Sequence, residues 1–150
     1  ASINTFLERF TFMQIPGKVV VLYDYNHTSR VIDLNRREHL GKEIRLFMGD
    51  SIGHWEGNTL VVDTANFNLS SYSYQIPYLT DALHTIERFT IADQNTIDYE
   101  VTIDDAKLFT RPWTVAGFFA RVPEGSESIE FACAEGTQTL QNIFGTPPSR

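Results

Sequence analysis

Polar and apolar residues alternate with a period of two along several stretches of this chain, and Thr96 to Ile103 is the clearest. Ile97, Tyr99, Val101 and Ile103 fall on one parity and Thr96, Asp98, Glu100 and Thr102 on the other, as in a strand with one face in a core and one in water. Asp81 to Ile91 precedes it across Ala92-Asp93-Gln94-Asn95, so the two predict a hairpin. The densest pattern lies upstream, from Met48 to Asn68. Ser51 to Glu56 and Thr59 to Asn66 are its arms, and Gly57-Asn58 joins them with the positive φ that primed hairpin turns require.

The remaining elements follow by the same logic. Phe6 to Ile15 carries Phe6, Phe10 and Phe12 on one parity and ends at the turn signal Pro16-Gly17. Lys18 to Tyr25, with VVVLY at its centre, reads as a strand apolar on both faces, and Ser29 to Leu34 returns after Asn26-His27-Thr28. Asn35 to Phe47 reads as a loop with a short strand near its end. Phe67 to Thr80, rich in Ser, Tyr and Asn and containing Pro77, reads as a long connection of the kind that often serves as a lid or binding loop. Trp113 to Val122 and Ser128 to Ala134 predict a third hairpin around Pro123-Glu124-Gly125-Ser126, and the tail from Gly136 adds a short helical turn near Thr139 to Phe144. About nine strands with short turns and little helix imply an all-β antiparallel meander, closed into a lipocalin-like β-barrel or folded into a sandwich. The barrel is preferred because closure removes exposed edges, and roughly eight strands lined by Phe, Tyr and Val leave room for one small apolar ligand.

Composition narrows the classes. At 150 residues the chain, 1–150, is one domain able to bury a core without staples. Eleven Phe and six Tyr favour strands, where flat side chains cover a pleated surface. A net charge of −7, with basic residues scattered except for Arg36-Arg37, leaves no stripe to neutralise a phosphate backbone, so nucleic acid is not an expected partner. The longest uninterrupted apolar run, Val19 to Tyr23, falls far short of the roughly 20 residues of a membrane helix, and no membrane insertion is expected. A single cysteine, Cys133, rules out an internal disulfide and Cys-based zinc sites. Ala1 to Phe6 shows no signal peptide, and a start at Ala-Ser suits a chain from which an export signal has been removed as well as it suits a trimmed one.

Parity then locates candidate chemistry. Glu87 shares the core-side parity of Phe89 and Ile91, where burial would raise its pKa unless a cation met it. It reads either as a general acid or base in a pocket or as a carboxylate at the barrel rim paired with Arg88, Arg30 or Arg111. His27, in the turn of YDYNHTSR, titrates near neutrality and can exchange protons at a barrel mouth, or simply satisfy its own loop. His39, His54 and His84 show neither HxH nor HExxH spacing, so a metal site would have to be assembled from distant strands, and neither metal nor cofactor is expected. Ser51 in GDSIG matches a nucleophile elbow only superficially, since a β-hairpin follows it, and Asp104-Asp105 end a strand. Trp55, Trp113, Tyr23, Tyr25, Tyr72, Tyr74 and Tyr78 can line a pocket or form core, and the Tyr72 to Tyr78 cluster, in a polar loop, favours the pocket.

The succession VVVLYDYNHTSR, MGDSIGHWEGNTLVVDTANFN, DALHTIERFTIAD, YEVTIDDAKLFTRPWT and IEFACAE resembles a family of uncharacterised bacterial proteins, acidobacterial and proteobacterial, over Phe12 to about Glu135. The resemblance implies export to the periplasm or beyond. It also implies that Tyr25, Asn26, His27, Arg30, Trp55, Glu56, Glu87, Arg88, Arg111 and Trp113 belong to the family's signature. A departure concerns the loop NLSSYSYQIPYLTDALH, where family members carry a longer GHPHS-like sequence; His84 is retained and the preceding His is absent.

The leading expectation is a lipocalin-like barrel holding a small, mostly apolar or aromatic organic molecule, with His27, Arg30 and Glu87 as polar contacts at or inside the mouth. The alternative is an enzyme on the same scaffold doing isomerisation, cyclisation or hydration/dehydration, with His27 or Glu87 moving the proton. A third reading is an accessory subunit of a homo-oligomer or larger assembly. On these readings Tyr25, Arg30, Trp55, Tyr72, Tyr74, His84, Arg88 and Trp113 are the candidate ligand contacts.

Overall fold

The computed structural model describes residues 9–24, 28–68 and 79–126. Within them every regular element is a strand: β1 (Phe10–Ile15), β2 (Lys18–Tyr23), β3 (Ser29–Asp33), β4 (Asp50–Glu56), β5 (Thr59–Ala65), β6 (His84–Ile91), β7 (Thr96–Asp104) and β8 (Trp113–Ala120). They form one eight-stranded sheet in the order of the chain, curled into a half-barrel. The second arm of the expected third hairpin, Ser128 to Ala134, and the helical turn at Thr139 to Phe144 lie outside the described residues, as does most of the Phe67 to Thr80 connection.

Six of the seven strand pairs are antiparallel, and β3–β4 is parallel, with Ile32 opposite Ser51 and Asp33 opposite Ile52. The expected all-β, mainly antiparallel meander thus forms, with β3–β4 as its one parallel pair. Parallel neighbours need a crossover of a dozen or more residues, and residues 34–49 supply it. In place of the short strand expected near its end, the crossover makes a single parallel bridge, Leu46 to Phe67. The central hairpin forms as its turn residues dictate. Gly57 has φ +62° and Asn58 does not share the positive value, the pattern of a type II′ turn, and Trp55 pairs with Leu60 and Glu56 with Thr59 across it.

Strand parity sets the two faces of the sheet. On the concave side Val19, Val21, Tyr23, Ile32, Leu60, Val62, Phe89, Tyr99, Val101 and Ile103 are buried in one cluster. β1 lays Phe10 and Phe12 over it, with ring centroids 4.7 Å from Phe119 and 5.2 Å from Phe89 respectively, both edge to face. Two parity readings end differently from expectation. Leu22 on the convex side of β2 is exposed, so that strand is covered on one face only. Ile91 shares the parity of Glu87 and Phe89 but stands exposed where β6 runs out of the core.

Among the described residues the concave side chains pack into one cluster, and a cleft opens at one end, between β1 and the ends of β6, β7 and β8. This cleft of about 880 Å³ is walled by Phe10, Phe12, Ile91, Ile97, Phe118 and Phe119, with Arg9, Asp24, Asp93 and Arg121 also facing it.

Candidate functional site

Among the described residues three places carry polar or concave chemistry, and the central strands β4, β5 and β6 build two of them from adjacent residues. Ser51, Thr64 and Glu87 point into the concave side, while Asp50, Asp63 and His84 belong to the convex side.

On the concave side, Arg30 of β3 enters the core and is enclosed there. Its Nε donates to Ser51 Oγ at 2.8 Å, and its Nη2 donates to Thr64 Oγ1 and to Glu87 Oε2. Ser51 and Thr64 share a further hydrogen bond of 3.0 Å, and Tyr99 donates its hydroxyl to Glu87 Oε1 at 2.9 Å. Among the described residues Nη1 has no hydrogen-bond partner. Arg30 and Glu87 have 1% of their side chains exposed, so solvent screening is slight and the pair's charges act at nearly full strength. Burial works against both charges. The attraction of Glu87 outweighs it for Arg30 and holds the guanidinium above its ordinary value, with a smaller contribution from Tyr23. Likewise the charge and hydrogen bond of Arg30 outweigh burial for Glu87 and hold its carboxyl below the usual glutamate range. Burial, reinforced by the charge of Glu87, pushes the Tyr99 phenol up, so Tyr99 remains a donor.

On the convex side, the crossover brings His39 down onto the sheet. Asp33 Oδ1 accepts the backbone N–H groups of Asn35 and Arg36 as the crossover begins. Asp50, buried at the start of β4, then gathers Arg36 through two bonds of 2.6 and 3.2 Å and the Leu40 N–H at 2.9 Å. Gly49 makes this entry possible: its φ is +72°, and a Cβ there would meet Thr64 Cγ2 at 2.6 Å. His39 lies with Nδ1 3.1 Å from Asp50 Oδ2 and Nε2 2.9 Å from Asp63 Oδ1, and His84 Nε2 reaches the same Asp63 oxygen at 2.6 Å. The His39 and His84 rings stand 6.5 Å apart and nearly perpendicular. Burial disfavours the Asp63 charge, but the hydrogen bonds with His84 and His39 outweigh it and hold the carboxyl below its ordinary value. His84 is raised by its hydrogen bond with Asp63, against partial burial, with further help from the charges of Asp63 and Asp104.

The expected site residues are therefore dispersed. His27, Tyr25, Tyr72 and Tyr74 lie outside the described residues. Arg30 and Glu87 come together, but deep in the core and not at a mouth, and Glu87 takes Arg30 where Arg88 and Arg111 were equal candidates. Arg88 stands on the convex face and donates to Glu56 Oε2 at 2.7 Å. Trp55 and Trp113 sit at strand ends, substantially exposed, with Trp113 edge to face against Phe109 at 5.6 Å. His84 belongs to the convex cluster. None of the described candidates lines the cleft, whose Phe10, Phe12, Phe118 and Phe119 were legible only as strand residues. His39, Asp50 and Asp63 were missed as members of a site. An Asp directly after the apolar run Leu60-Val61-Val62 was the local signal.

Of the other polar candidates, Ser51 is held in mid-strand by Arg30 and Thr64, and Asp105 is a buried bracket that accepts the Thr80 N–H and hydroxyl and the Lys107 N–H. Comparison with protein-family models, curated proteins and solved structures finds no match.

Proposed function

We propose that the protein is a binding module of lipocalin-like build that holds a mostly apolar organic molecule in the cleft at the β1/β8 end of the half-barrel. The observation that carries this reading is the cleft itself. Its volume of about 880 Å³ falls in the range of small-molecule sites, and aromatic and aliphatic side chains make about half of its wall, with polar and charged ones making the rest and able to orient a polar end. The resemblance to an exported family adds the periplasm or the cell exterior as the place of binding. Acid–base catalysis by Glu87 draws no support from this arrangement, because its carboxylate is enclosed by Arg30 and Tyr99 and does not face the cleft.

Phe118 provides the test, since it lines the cleft yet is 67% exposed and contributes little to the core. Titration with an anilinonaphthalene fluorophore should give saturable binding at one site per chain. Phe118→Asp should weaken it roughly tenfold, the loss of about 1.4 kcal/mol of apolar contact, without moving the thermal midpoint. Absence of saturable binding, or binding indifferent to Phe118→Asp, would overturn the assignment.

One observation favours the accessory-subunit reading alongside it. On the convex side of β1–β3, Met13, Val20 and Val31 stand in one cross-strand row, with exposed Leu22 and Ile15 beside them. Contiguous exposed apolar surface of this kind marks association sites. Light scattering with wild type and Val31→Lys distinguishes the readings: a multimer dissolved by Val31→Lys supports association, and a monomer in both removes self-association.

A further inference from the structure

We infer that His39, Asp63 and His84 form a mononuclear site for a divalent first-row transition-metal ion of the zinc class, ligated by His39 Nε2, Asp63 Oδ1 and His84 Nε2, with a remaining position open to water. The site is independent of the cleft. His84 begins β6 on the convex face and Ile91 ends it at the cleft, and at about 3.3 Å per residue the two lie roughly 23 Å apart.

Three observations converge. The first is donor placement: one ligand atom from each residue lies within 4.8 Å of the others. They come from the crossover, β5 and β6, so the fold assembles them and no local sequence motif could. The second is the orientation of His39, whose two ring nitrogens face carboxylate oxygens on opposite sides, Asp50 Oδ2 at 3.1 Å and Asp63 Oδ1 at 2.9 Å. With Nδ1–H donated to Asp50, Nε2 presents its lone pair beside Asp63 and His84, as a ligand must.

The third observation is that Asp50 is built as the outer partner of a metal-bound histidine. It is buried, it is clamped by Arg36 and the Leu40 N–H, and it faces the ring nitrogen that does not point at Asp63. A carboxylate in this position fixes the tautomer and raises the basicity of the ligating nitrogen. Two imidazoles and one carboxylate are a donor set for zinc and its neighbours and not for calcium or magnesium, which take oxygen ligands. Bonds of about 2.0–2.1 Å at tetrahedral angles separate ligand atoms by about 3.3 Å, so the two His–Asp63 contacts open by less than about 1 Å, while the two imidazole nitrogens already lie within 4.8 Å of each other. The side chains of His84 and Asp63 are 36% and 40% exposed, which leaves both the room to move and a solvent-facing coordination position. Ligation uses the lone pairs of both Nε2 atoms, so any proton held between them and Asp63 leaves to solvent as the ion binds.

The experiment uses the untagged full chain stripped of metal with EDTA. ZnCl₂ is titrated against a chromophoric chelator, native mass spectrometry gives the stoichiometry, and CoCl₂ gives the ligand-field spectrum. The expected result is one ion per chain. His39→Gln and His84→Gln should each weaken binding by at least roughly tenfold, while His54→Gln, on the exposed end of β4, leaves it unchanged. Cobalt should show visible d–d bands without a near-ultraviolet thiolate band. Circular dichroism of each variant separates loss of the site from loss of the fold, and the wild-type cobalt spectrum stands even if a variant does not fold. No stoichiometric binding, binding that survives both His substitutions, or a thiolate band that places the ion on Cys133 would overturn the assignment.

Discussion

Two charge clusters sit back to back on the same central strands, one on each face. Arg30 and Glu87 lie on the concave side with Ser51 and Thr64. His39, Asp63 and His84 lie on the convex side with Asp50. Asp50 and Ser51 are consecutive in β4, and Asp63 and Thr64 are consecutive in β5, so the alternation of the pleat sends one residue of each pair to each cluster. The chemistry is similar, nitrogen bases meeting carboxylates, but the surroundings differ. The concave cluster is closed: its charges are paired, almost wholly buried and capped by Tyr99. The convex cluster is partly open to solvent, and its three ligand atoms lie close enough to share one cation. A closed pair of this kind specifies structure, whereas an open cluster of two imidazoles and a carboxylate can take a ligand.

The largest test of that difference is to break the closed pair. Arg30→Met should destabilise the protein by about 3–5 kcal/mol, because Glu87 is left as an uncompensated buried charge. Adding Glu87→Leu should return at least about 2 kcal/mol of that loss, since two apolar side chains avoid the desolvation that the single variant exposes. Urea unfolding of wild type and of the single and double variants measures both steps. A double variant no more stable than Arg30→Met would mean that Ser51, Thr64 and Tyr99 need the pair as much as it needs them.

Acid should act on the same pair next. Glu87 titrates lower in the folded chain than in the unfolded one, so its stabilisation is fully present above the ordinary glutamate value of about 4.3 and is lost as pH falls through the lower folded value. Glu87→Gln cannot lose what it lacks, and its stability should therefore fall less steeply than that of wild type below about pH 4. Urea midpoints between pH 7 and pH 3 read the difference in slope. Asp50 and Asp63 titrate in both proteins and cancel from it. A smaller effect is expected from Tyr99→Phe, which removes one hydrogen bond to a charged acceptor at a cost of about 1.5–3 kcal/mol while leaving the ion pair in place.

The two clusters were unequally legible in the sequence, for physical reasons. Strand positions follow from period two and from turn chemistry, both local, and Lys18, Ser29, Thr59 and Thr96 begin their strands where the pattern places them. The inward parity of Glu87 is local too. Its choice of Arg30 over Arg88 and Arg111 is not, because it depends on how β3 is set beside β4, and the parallel pairing there passes through a crossover with no periodicity to read. The convex cluster is less legible still. His39 owes its place to the path of residues 34–49 across the sheet, fastened by Asp50 and by the Asn66 side chain donating to the Leu40 carbonyl at 2.9 Å. Asp63 and His84 meet only through the β5–β6 register, in which Asp63 stands opposite Ile86 and Thr64 opposite Thr85. Sequence spacing carries neither relation.

The smallest expected change in stability is also the sharpest contrast between the clusters. Asp63→Asn removes the carboxylate shared by His39 and His84, yet Asp63 is 40% exposed, and ion pairs at such positions contribute at most about 1 kcal/mol. Without metal, the thermal midpoint of the variant should stay within a few degrees of wild type. With zinc in excess the two should separate. A ligand present at 100 times its dissociation constant stabilises the folded state by about 2.7 kcal/mol, and that increment should appear in wild type and be largely absent from Asp63→Asn. The same zinc series on Arg30→Met should retain the increment despite the lower starting stability, because the concave pair contributes no ligand. If zinc raises the midpoint of Asp63→Asn as much as that of wild type, the convex cluster is a solvated charge network like any other on the surface, and the contrast between the two faces reduces to burial alone.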